Sequence, residues 1–138
     1  MANYSKLHQL TELQYIQNQS EFRDILREEN KLRNEIAKLR SQAETVDAGG
    51  MTEMHSVGAD ILWRAWVGRM LEQLNIELAQ VLARKEMCLA HVRRAFSRMN
   101  VTDQLASDQA LKRKRAQTKA VLARAIDSDV FSKKTDFQ

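Results

Sequence analysis

The stretch DAGGMTEMHSVG, residues 47–58, holds three of the four glycines in this 138-residue chain; the fourth is Gly68. The first 48 residues and the last 70 have no glycine, and the chain has no proline. At average usage of about 5%, roughly seven prolines would occur in a chain of this length. Proline breaks helix interiors by removing an N–H and clashing with the preceding turn. Its absence, together with flexible residues confined to one window, predicts two long helices separated by a turn.

The segment before the window supports this reading. Phe22, Ile25, Leu32, Ile36, Leu39, Ala43 and Val46 follow steps of three, four and seven, a seven-residue repeat with apolar a and d positions. Glu29 is the one polar occupant. Tyr4, Leu7 and Leu10 lie near the same face. Leu13 and Ile16 drift off it, which points to a stutter or a second contact. The first helix is expected over about residues 4–46, roughly 65 Å at 1.5 Å per residue.

In the window, Ala48-Gly49-Gly50 can supply the positive φ of a helix end. Thr52 and Ser56 can cap the next helix, Ser56 being the better placed. The turn is expected at about 47–56 and the second helix from about 57 to 126, with a possible break at Asn100–Asp103. Leu71, Leu74, Leu78, Leu82, Leu89, Val92, Phe96 and Met99 mark its stripe, with Lys85 in the seam between Leu82 and Leu89. Val67, Met70 and Val81 form a second seam beside the first and widen the apolar face. Beyond residue 126, DSDVFSKKTDFQ is expected to be a disordered tail.

Two repeats around a glycine break make an all-α antiparallel two-helix coiled-coil hairpin with a longer second helix. A turn centred near residue 51 would pair Val46 with Val57, Leu32 with Leu71, Leu7 with Phe96 and Tyr4 with Met99. A parallel homodimer would leave the glycine break without a role.

Composition points away from several function classes. No run of about 18 apolar residues could span a membrane, and MANYSKLHQL lacks the apolar core of a signal peptide, so a cytoplasmic protein is expected. Cys88 is the only cysteine and reads as a small apolar residue on a helix. His8, His55 and His91 lack metal-ligand spacing, and the Gly-Gly pair is not followed by the Lys-Ser or Lys-Thr of a phosphate loop. We expect no catalytic, metal or cofactor site, and hence no enzyme.

Two features invite a partner. The first is WRAWVGRM, residues 63–70. Trp63 and Trp66 share a helix face, with Arg64 and Arg69 nearby, residue types enriched in interface hot spots. The same tryptophans could instead pin the second helix against Ile36, Leu39 and Val46. The second is Lys112-Arg113-Lys114-Arg115. Net charge is +4, and residues 101–138 carry eight basic against five acidic groups. These four consecutive charges wrap around a helix. They suit solubility or contact with a protein or phosphate surface, and nucleic acid less well, since no aromatics interleave for base stacking.

The Phe22–Val46 heptads, the DAGG break, and the Leu71–Met99 stripe followed by LKRKRAQTKAVLARAI together resemble the flagellar export protein FliJ and its counterparts in injection-type secretion systems. The resemblance covers residues 1 to about 126 and is one of layout. It implies a stalk-like component of type III protein export. Its partners would be a hexameric export ATPase, whose pore receives the free helix ends, an export gate, and chaperones of late substrates. On this chain those ends are residues 1–15 and 100–126. The tryptophan pair has no counterpart in that layout. A generic coiled-coil adaptor or structural protein binding through the Trp63/Trp66 face is the alternative, and a basic nucleic-acid-binding protein ranks below it.

Overall fold

The structure is a computed structural model that describes residues 3–48 and 58–136. It contains two helices, α1 (Tyr4–Ala48) and α2 (Ala59–Thr135), packed antiparallel as the expected hairpin. Asn3 caps α1, its Oδ1 accepting from the Lys6 amide at 3.3 Å. The start of α2 is set by Gly58, whose φ of 78° suits glycine; its carbonyl accepts the first helical hydrogen bond from the Leu62 amide at 3.3 Å. Asp60 in the first turn and Lys133 and Lys134 in the last complement the helix dipole. The expected roles of Gly49, Gly50, Thr52 and Ser56, and the pairing of Val46 with Val57, lie outside the described residues.

α2 is longer than expected. It passes through Asn100–Asp103 without a break, and residues 127–135, expected to be disordered, are helical. No glycine or proline follows Gly68 to interrupt it.

The chain divides into two compact units, Ile16–Arg94 and Met1–Tyr15 with Ala95–Gln138. In the first, Ile36, Leu39, Val67 and Leu74 form a buried cluster, with Leu32, Ala43, Trp63, Met70, Leu71 and Leu78 against it. Val67, Leu74, Val81 and Cys88 are buried at strict seven-residue spacing. The deeper line of α2 is therefore the seam that includes Val67 and Val81, while Leu82 and Leu89 are only partly buried beside it. Glu29 occupies the α1 seam as the heptad requires. Its carboxylate accepts from Lys85 Nζ at 2.9 Å and Arg33 Nε at 3.0 Å. Arg84 donates to Glu28 at 2.7 Å on the exposed flank.

These contacts correct the expected register. Leu32 shares a groove with Val81 and Arg84, not with Leu71. In the second unit Phe96 meets Tyr15, ring centroids 5.4 Å apart, and not Leu7; Thr102 meets Thr11 at 2.6 Å. The buried side chains of that unit, among the described residues, are Thr11, Ala95 and Thr102. Its α1 seam runs through Tyr4, His8, Thr11 and Tyr15, all partly or fully buried. Leu7, Leu10 and Leu13 are exposed, so the steps of three and four continue in polar residues without a stutter.

Candidate functional site

The sequence marked two places, and the structure treats them differently. At the start of α2, Trp63 and Trp66 stack with centroids 5.3 Å apart and planes at 23°. Trp63 packs against the Ile36–Leu39–Val67–Leu74 cluster, as the pinning alternative required for Ile36 and Leu39. Its indole Nε1 is buried and meets no hydrogen-bond partner among the described residues. Trp66 remains 43% exposed, with Ile61 and Leu62 more exposed still. Arg64 turns back along its own helix to Asp60 at 3.3 Å, and Arg69 is exposed. One tryptophan is thus a core residue, and its neighbour offers one ring face to solvent.

The second place is the far part of α2. Every residue from Leu111 to Asp136 is exposed. Lys112, Arg113, Lys114 and Arg115 occupy successive positions about 100° apart around the axis, so they project in four directions. Lys119 and Arg124 follow. From Gln109 to Ile126 the helix carries these six cations and no acidic residue, bounded by Asp108 and Asp127. Leu111, Val121, Leu122 and Ile126 are interleaved and exposed. Leu111 and Leu122 flank a shallow groove with Lys114, Arg115, Thr118 and Lys119. No apolar face is segregated from the charges, which distinguishes this stretch from an interfacial membrane helix. The sequence reading singled out Lys112–Arg115; Lys119 and Arg124 extend the same acid-free helical stretch.

Two titratable side chains, Glu29 and Cys88, belong to the helix seam. Hydrogen bonds from Lys85 and then Arg33 hold the Glu29 carboxyl below the ordinary carboxylate range, outweighing the opposing effect of burial. Burial, with the charge of Glu21 added, pushes the Cys88 thiol up; it is buried against the Asn18 carbonyl at 4.0 Å. A raised thiol is a poor nucleophile. Among the described residues no group of three His, Cys, Asp or Glu side chains could hold a metal ion, and no helix is long and apolar enough to cross a membrane. Comparison with protein-family models, curated proteins and solved structures gives no match.

Proposed function

We propose that the chain is a non-enzymatic coiled-coil component of a type III, flagellar-like protein export machine. In this reading it is a cytoplasmic stalk that binds a hexameric export ATPase and the export gate and escorts substrate chaperones. The observation that carries the docking part is the cationic end of α2. The six cations project to all sides of an exposed helix, with the four large apolar residues gathered on one arc of it, and none of these side chains is buried against the described residues. Charges pointing in several directions suit a partner that surrounds the helix. Two copies of this chain would instead bring cation against cation. The export assignment itself rests on the layout resemblance.

The test is capture from host cells with the full chain as bait, with and without nuclease. The reading expects a ring ATPase or a gate component in both samples. It expects that catch to be lost with Lys112→Glu, Arg113→Glu, Lys114→Glu and Arg115→Glu combined. Retention by the four-fold variant, or loss with nuclease alone, sinks it. The exposed ring face of Trp66 beside Ile61 and Leu62 supports the second reading, a generic adaptor. That reading expects Trp66→Ala to abolish capture and the charge reversal to spare it.

A further inference from the structure

In the unit formed by Met1–Tyr15 and Ala95–Gln138, α1 is built inside out. Leu7, Leu10 and Leu13 face solvent, while His8 and Thr11 face α2. The Thr11 hydroxyl lies 2.6 Å from the Thr102 hydroxyl. It is also placed to donate to the His8 carbonyl at 2.9 Å, and the Thr102 hydroxyl to the Met99 carbonyl at 2.9 Å. His8 Nδ1 lies 3.3 Å from Thr102 Oγ1, and His8 Nε2 3.7 Å from Asp103 Oδ1. Each hydroxyl has one hydrogen. Two hydrogens cannot serve two carbonyls and the bond between the hydroxyls at once. One of the three contacts is always given up.

The geometry points to a latch: the first three turns of α1, Tyr4–Tyr15, open away from α2 as a local event, released at the Thr11–Thr102 pair. The reason lies in what separation costs. Buried leucines lose their burial when helices part. A hydroxyl layer regains its bonds from water, and this one starts with a bond missing. The three leucines, exposed at 43% to 64%, have little burial to lose. Beyond the layer, the Tyr15–Phe96 ring pair marks the far edge of the opening segment. The opening uncovers the α2 line of Met99, Thr102 and Ala106, which leads along the same helix into the exposed cationic stretch. The latch is independent of the identity of any partner.

Hydrogen exchange on the full chain tests it. The Tyr4–Tyr15 amides should exchange about ten-fold or more faster than those of Leu32–Ala43, the range over which local opening separates from global unfolding. Thr11→Val with Thr102→Val replaces the layer by apolar contacts of similar shape and should slow the Tyr4–Tyr15 amides while leaving Leu32–Ala43 unchanged. Fraying of the first turn alone is distinguished by thiol labelling. In a Cys88→Ala background, the thiol of Thr102→Cys should react with iodoacetamide about ten-fold or more faster than native Cys88 does in the parent chain. Both positions are buried in the closed form, and first-turn fraying would leave position 102 covered by Thr11. Equal exchange in the two segments, faster exchange in the double valine variant, or equal labelling of the two thiols would overturn the latch.

Discussion

Replacing Ile36 by Ala should remove a large share of the stability of the Ile16–Arg94 unit. Ile36 is 6% exposed and sits in the cluster with Leu39, Val67 and Leu74. The change deletes three carbons, at about 0.8 kcal/mol per buried methylene, or roughly 2.4 kcal/mol. A cavity adds to this in a closed core. A two-helix seam is open at its sides and relaxes, so that addition is small. Alanine returns about 0.4 kcal/mol through its higher helix propensity. The net loss is about 2 kcal/mol. Ile76 is the control, an isoleucine on α2 that is 55% exposed. There the burial loss is roughly halved and partly offset by propensity, so Ile76→Ala should cost about 0.5–1 kcal/mol. Urea titration followed by circular dichroism at the helix band reads both. With a slope of about 2 kcal/mol per molar, Ile36→Ala should lower the midpoint by about 1 M and Ile76→Ala by less than half of that. Equal shifts would refute the assigned seam.

Three further outcomes follow from the same geometry. The Glu29 carboxyl is depressed in the folded chain, so its contribution is present above the unfolded value of about 4.3 and is lost as pH falls through the folded value; the urea midpoint should therefore drop between about pH 5 and pH 3 more steeply in the parent than in Glu29→Gln, and parallel curves would contradict the pairing. Trp63→Ala should cost about 3 kcal/mol through its core contacts, and Trp66→Ala about 1 kcal/mol through lost stacking; the reverse order, by the same titration, would place the wrong indole in the core. Cys88 should react slowly with iodoacetamide in the folded chain and quickly in denaturing urea; rapid labelling without urea would show that the seam is not closed there.

The hairpin was legible because its strongest signals are local. Glycines cluster in the sequence between the two helices, and the Phe22–Val46 heptads mark a seam that Ile36, Leu39 and Glu29 occupy. The register was not legible, because apolar size misleads at the other end of the helices. There the seam is carried by His8, Thr11 and Tyr15, and the larger Leu7, Leu10 and Leu13 point outward. Along α2, Val81, Cys88 and Ala95 are more deeply buried than the bulkier Leu82, Leu89 and Phe96 one position later. A small residue lets two backbones approach, and periodicity weighted by size overlooks it. Centring the turn near residue 51 therefore matched Leu7 to Phe96, and the larger side chains did not reveal the shift that puts Thr11 against Thr102. The tryptophan pair was found by spacing, but only packing separates the buried Trp63 from the exposed Trp66. The cationic stretch was singled out as four residues, although its full acid-free extent to Ile126 is already written in the sequence; the structure adds that all of its side chains from Leu111 on are exposed.

Photo-cross-linking in host cells tests the central claim, that the cationic end of α2 docks a protein. A photoreactive residue is placed in the full chain at Lys114, at Arg115 or at Lys119, and as a comparison at Ile76, and the products are identified by mass spectrometry. The account predicts that all three cationic positions join to one protein, a ring ATPase or gate component, and that Ile76 does not. Cross-links from Lys114, Arg115 and Lys119 to nucleic acid or to a second copy of this chain, or none at all while Ile76 captures a protein, would contradict it.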